Sequence, residues 1–169
     1  ELGTMEILLA SPLKPLLIII SKTIPYLFLS LINISTILLL SVFVLDLPIN
    51  GSLFLLVSLS MLFAVTCLSL GILISSSTNS QQVAMLISLM GLFLPTIMLS
   101  GFMFPIENMP LPMQFISNLV PAKWYFYIVK DVMIKGLGFA AIWKEVLVLF
   151  GMTLFFLVVS IKKFKLRLS

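Results

Sequence analysis

Residues 53–74 read LFLLVSLSMLFAVTCLSLGILI, with no Asp, Glu, Lys, Arg or His anywhere in the run. An α-helix rises about 1.5 Å per residue, so ~20 apolar residues cross a hydrocarbon core of ~30 Å. This stretch is long enough and apolar enough to do so. Three further runs outward from it have the same character, at about 24–45, 83–100 and 142–161. The fold class is therefore an all-α integral membrane protein with four transmembrane helices. Each span satisfies its own backbone hydrogen bonds, as the bilayer requires.

Composition agrees with that reading. Hydrophobic residues make up 61% of the chain and charged residues 9%, and the mean hydropathy is +1.26. A soluble domain has roughly a quarter of its residues charged. The net charge of +4 is small, and the basic residues gather at the edges of apolar segments, so no basic face with interleaved aromatics offers itself to nucleic acid. The single cysteine, Cys67, lies inside an apolar run and there is no histidine, so neither a disulfide framework nor a thiolate or imidazole metal site is expected. The first residue is Glu1 rather than Met, with no signal-peptide pattern ahead of the first span, which reads as a chain beginning inside a longer protein.

The acids narrow the function classes further. Glu1, Glu6, Asp46, Glu107, Asp131 and Glu145 fall outside the spans or at their ends. No pair of them forms a dyad on one buried face, so no catalytic residue is named and the chain is not expected to be an enzyme by itself. Ion-coupled carriers keep ionisable groups within the bilayer. If this chain moves a substance, its driving energy is expected to come from another subunit.

An even number of spans puts both ends on one side. Lys162, Lys163, Lys165 and Arg167, with Lys14 and Lys22, mark that side as cytoplasmic. Lys123, Lys130, Lys135 and Lys144 fall on the other side, spread over a longer stretch and mixed with Glu107, Asp131 and Glu145. The connection 46–52 carries Pro48, Asn50 and Gly51 and reads as a tight outer hairpin. The connection 75–82 is an uncharged run of Ser, Thr, Asn and Gln.

The third connection, 101–141, is long and still apolar. Pro105, Pro110, Pro112 and Pro121 forbid one continuous helix, while Phe102, Phe104, Phe115, Trp124, Tyr125, Phe126 and Tyr127 favour the headgroup layer. It reads as re-entrant or interfacial helices in the outer leaflet. From Lys123 the polar residues Lys123, Tyr127, Asp131 and Lys135 recur every four positions and leave Trp124, Ile128 and Val132 on an apolar face. Within the spans, Ser60, Ala64, Cys67, Gly71 and Ser75 line up small residues along one face of the second helix, where another backbone can approach. Pro95, one turn after Gly91, predicts a break in the third span. Asn33 is the one amide deep in the first span. It joins helices or faces a substrate, just as Met85 and Met98 are packing filler or a lipophilic surface. The candidate substrate path comprises Asn33, Met85, Pro95, Met98, Ser100, Gly101, Phe102, Pro105 and Trp124.

Residues 1–12, ELGTMEILLASP, predict a short helix at the membrane surface. Thr4 caps it, Glu6 meets its positive dipole end, Pro12 stops it, and Met5, Leu8, Leu9 and Pro12 form its apolar stripe. Such a helix is a passive lead-in or a contact for another protein. The segment Glu1 to Pro15 resembles the glutamate, glycine, threonine, methionine-or-leucine, glutamate, leucine motif of bacterial type-2 ATP-binding-cassette permeases. Two further pieces are similar to that family in the same order: LSGFMFPIENMP at 99–110 and PAKWYF at 121–126.

The resemblance implies a six-helix permease of the multidrug or lipophilic-compound exporter type, of which these spans are the last four. It makes 1–15 a cytoplasmic coupling helix that docks on a separate nucleotide-binding ATPase through Glu1, Gly3, Thr4, Met5 and Glu6, with Leu9 and Pro12 on the same surface, and 16–169 the transmembrane permease domain. ATP and Mg would be held by that ATPase, with no cofactor bound directly here. A second permease copy or homologue would complete a dimer in the bacterial inner membrane, with the lipid bilayer as the other partner. The rival expectation is a four-span anchoring or assembly subunit that uses the small-residue face of the second helix.

Overall fold

The computed structural model describes residues 15–78 and 80–166, with the side chains of 15–19, 22 and 164–166 left out. All but the last residue of the expected coupling helix, with Glu1, Gly3, Thr4, Met5, Glu6, Leu9 and Pro12, lies outside the described residues. Among the described residues, four helices are long and apolar enough to cross a membrane, over Thr23–Phe43, Leu53–Ser77, Gln81–Leu99 and Phe139–Lys163. No strand occurs among the described residues.

Helix α1 (Pro15–Phe43) starts on a proline, whose missing N–H costs nothing in a first turn. Its hydroxyls turn back on their own helix: Ser30 donates to the Tyr26 carbonyl, Ser35 to Leu31 and Thr36 to Ile32, at 2.8–2.9 Å. These three hydroxyl protons are thereby satisfied in an apolar setting. The helix stops at Phe43, short of the expected residue 45, because Asp46 adopts a left-handed φ of 49° and the Leu47 amide donates to the Ser41 carbonyl. Aspartate is among the few residues that tolerate that conformation.

Helix α2 (Leu53–Ser77) is capped by Ser52, whose side chain accepts from the Leu55 amide. Helix α3 (Gln81–Leu99) follows within a few residues and so runs back the other way. Its predicted break is a π turn at Leu89–Phe93, just before Pro95, which has no amide to give the Gly91 carbonyl. No residue of α3 is buried.

The third connection contains a 3-10 turn at Ile106–Asn108, α4 (Leu111–Ser117) and α5 (Pro121–Val129), which continues into a π turn at Lys130–Ile134. Helix α6 (Phe139–Leu166) is the last described element. Bonds that join α6 to α2 run from Thr66 to Thr153, from Ser160 to the Ser69 carbonyl, and from Lys163 to Ser77. Their sequence separations of 87, 91 and 86 are nearly constant, so the two helices run parallel. The bundle therefore has a turn end, carrying 46–52 and 130–138, and a tail end, where α2 and α6 finish.

The core lies toward the turn end, where Leu56 and Leu59 of α2, Ile128, Val132 and Met133 of α5 and its π turn, and Ile142 and Leu149 of α6 meet. This placement departs from one expectation. Of the expected small-residue line, Ser60 is buried and Ala64 half-buried, while Cys67, Gly71 and Ser75 are exposed, and nothing lies within 4 Å of a Cβ built on Gly71. The packed face of α2 runs instead through Leu56, Leu59, Ser60, Thr66 and Ser69. Small size permits close approach, but α2 turns toward the side where α6 offers matching hydroxyls.

Candidate functional site

Two arms form the 101–141 connection, and α5 is the one that returns to the turn end. Tyr125, early in α5, reaches Ser60, while the π turn that follows lies against Asn50 and Gly51. Ser60 is eight residues beyond the Ser52 cap, a depth of about 12 Å along α2 at 1.5 Å per residue. The N-terminal part of α5 is thus at depth and its C-terminal end is level with the α1–α2 turn.

Tyr125 anchors this geometry. Ser60 has one hydroxyl proton and gives it to the Leu56 carbonyl at 2.7 Å, so in the 2.8 Å contact between the two hydroxyls the Tyr125 O–H donates to Ser60. The Tyr125 ring also stacks on Phe63, with centroids 4.2 Å apart and planes 1° from parallel. One side chain therefore supplies both an apolar face and a polar tip to the α2–α5 contact.

At the deep corner between α4 and α5, Val120 is extended ahead of Pro121, as a residue before proline prefers, and Pro121 opens α5. Lys123 was expected on a polar face with Tyr127, Asp131 and Lys135, yet it is only 9% exposed. Its stem folds back over the corner, and Nζ donates to Asn118 Oδ1 at 2.6 Å and to Ser117 Oγ at 3.2 Å, 5.3 Å from the Trp124 ring centroid. Trp124 Nε1 donates to the Asn118 carbonyl at 3.0 Å. A buried ammonium is thus held by neutral acceptors and a ring face.

The descending arm meets α5 at the Gly101 turn. Gly101 has φ +86°, and a Cβ there would press on Ile106 at 3.3 Å. Phe126 lies against this turn, with Phe102 edge-on to it at 6.3 Å between centroids. Near the turn end, Asp131 and Lys135 form an ion pair at 2.7 Å. Burial first, and then the Glu107 and Asp131 carboxylates, push the Tyr127 phenol above its ordinary pKa.

The structure brings only some of the candidate path residues together. Buried Ser100 accepts from the Phe102 amide, and Gly101 and Phe102 contact α5, with Pro105 following them. Trp124 belongs to the deep corner on the same helix. Asn33 is exposed on α1, and Met85 and Met98 are exposed on α3 with Pro95 half-buried between them. Sequence reasoning did not single out Ser117 or Asn118 and read Asn50 only as a turn residue; their partners lie across a turn or far along the chain. Among the described residues no cluster could hold a metal ion.

The family model described as ABC-2 type transporter matches residues 1–134. The chain is similar to "Probable multidrug ABC transporter permease YbhS" of Escherichia coli (strain K12), 35% identical over 169 residues that cover 100% of this chain and 45% of that protein. It is similar to "Probable multidrug ABC transporter permease YbhR" of the same organism, 30% identical over 145 residues covering 86% and 39%. "ABC transporter G family member 20" of Dictyostelium discoideum is 26% identical over 161 residues covering 94% and 22%. The chain thus spans less than half the length of these relatives. No solved structure matches it.

Proposed function

This chain belongs to the ABC-2 type transporter family, and from that premise we propose that it is the membrane-spanning part of an exporter. The exporter moves lipophilic compounds from the cytoplasm or inner leaflet and is driven by a separate ATPase. The observation that carries this reading is the family match over residues 1–134 on a chain with four long apolar helices. Two relatives carry the words multidrug permease in their names, and the exposed Met and Phe surfaces of α3 and the 101–115 arm suit a lipophilic cargo.

In this reading both ends of the chain face the cytoplasm, so the turn end faces outward. The segment 1–15 docks on the ATPase, ATP and Mg are bound there, and a second permease copy or homologue completes the passage. Ser100, Gly101, Phe102, Pro105 and Trp124 line its outer part, with Asn33, Met85, Pro95 and Met98 contributing from α1 and α3.

The test is charge reversal at the docking segment. Cells expressing the whole protein with its ATPase should clear ethidium faster than cells with an ATPase lacking its P-loop lysine. Glu6→Lys should lose that clearance while the protein still inserts and ATP hydrolysis continues uncoupled. Unchanged clearance in the Glu6→Lys variant would remove the docking role. Equal clearance with the disabled ATPase would favour the anchoring-subunit alternative.

A further inference from the structure

The α1–α2 turn and the end of α5 are fastened together more closely than a surface turn requires. The Asn50 amide donates to the Met133 carbonyl at 3.1 Å, and Asn50 Nδ2 donates to the Ile134 carbonyl at 2.9 Å. These are two of the carbonyls that the end of a helix leaves without an intrahelical donor. Gly51 lies so close to the π turn that a Cβ on it would collide with the Val132 carbonyl oxygen. Gly136, with φ +67°, brings its own backbone against Asn50, and a Cβ built there would be 3.2 Å from the Asn50 Cβ. Two glycines thus let two turns, 84 residues apart in the case of Asn50 and Ile134, close backbone on backbone.

We propose that Asn50, Gly51 and Gly136 are positioning residues for transport: they form a joint that stays closed through the cycle and makes the α1–α2 turn and the re-entrant helix one rigid body. This rests on the permease reading. None of the three touches the candidate path. They act through α5, which carries Trp124 and Phe126, so that wall moves only where α2 moves. Tyr125 on Ser60 and Phe63 ties the same two helices at depth, and Val132 is fully buried between the tie points.

The test uses the whole protein with its ATPase, with Cys67 and any further native cysteine replaced by serine as background. The pair Asn50→Cys and Gly136→Cys has its Cβ atoms within a few tenths of an ångström of the ~3.5–4.5 Å a disulfide spans. It should cross-link equally well in membranes without nucleotide and with ATP and vanadate, and oxidation should leave ethidium clearance unchanged. A yield that falls with ATP and vanadate, or clearance that oxidation stops and reductant restores, overturns the proposal. Because cysteine is strained at the left-handed Gly136, hydrogen exchange of the Asn50 amide in the unsubstituted protein is measured as well. Exchange as slow as the core of α2 in both states supports the joint, and fast exchange in either state overturns it. Gly51→Ala should speed that exchange about tenfold, the effect of ~1.4 kcal/mol of strain. Gly138→Ala, where nothing lies within 4 Å of the new Cβ, should leave it unchanged. A protein that clears no ethidium yet holds a slow Asn50 amide removes the transport reading and leaves the joint standing.

Discussion

Replacing Thr66 by valine tests how much the hydroxyl bridge between α2 and α6 stabilises their pairing, and the structure predicts that it is little. Thr66 and Thr153 are 0% and 3% exposed, and their hydroxyl oxygens are 2.6 Å apart. Each is also within reach of its own helix, Thr66 at 2.9 Å from the Leu62 carbonyl and Thr153 at 2.8 Å from the Leu149 carbonyl. Three contacts share two protons, so two hydrogen bonds exist at once. When the helices separate in the bilayer, each hydroxyl donates to its own carbonyl and two bonds still exist. Pairing therefore exchanges one bond for another. Thr66→Val, which keeps the volume and loses the hydroxyl, should destabilise the protein by no more than ~0.6 kcal/mol, the average for such bonds in membrane helices. Thr66→Leu, which adds a methylene at a closed position, should cost about 1–3 kcal/mol. Both are measured by reversible SDS unfolding of the purified whole protein, with Thr153→Val and the double variant completing a cycle. A loss above ~1.5 kcal/mol for Thr66→Val would refute the reasoning, because it would mean the hydroxyl has no substitute partner when the helices part. A Thr66→Leu variant as stable as wild type would show that α2 and α6 do not meet there.

Tyr125→Phe keeps the stack on Phe63 and removes the donor to Ser60, whose own proton stays on the Leu56 carbonyl, so nothing buried is stranded. The expected loss is about 0.5–1.5 kcal/mol by the same unfolding measurement. Lys123→Met preserves the stem that covers the α4–α5 corner and removes a charge held only by neutral groups. Stability should change by no more than about 1 kcal/mol in either direction, since a buried ion is often replaced by an apolar side chain without loss. A drop as large as that for an interrupted ion-pair network would reveal an acidic partner for Lys123.

The spans and the broken course of the third connection were legible in the sequence for a simple reason. Bilayer thickness converts directly into run length, and the four prolines between 105 and 121 rule out a fifth straight helix. The packed face of α2 was not legible, because Ser60 to Ser75 and Leu56 to Ser69 are both plausible stripes. The choice depends on where Thr153 and Ser160 fall on a helix more than 80 residues away. Lys123 misled for a related reason: a period of four describes one straight helix, and its ammonium leaves that helix to bind Ser117 and Asn118 across a turn. Asn50 carried an ordinary turn signal, which gave no hint that its amide would close onto Met133. The coupling role of residues 1–15 rests on the resemblance alone.

The parallel α2 and α6 also set a problem of timing during synthesis. Residues that meet are 86–91 positions apart, so at about 5–20 residues per second α2 waits roughly 4–18 s in the bilayer for its partner to emerge. The self-directed bonds of Thr66, Ser69 and Ser77 to Leu62, Val65 and Leu73 let it wait without a stranded polar group. A helix assembled this way can leave the translocon alone and exchange bonds later, which makes the late arrival of α6 a delay rather than a hazard.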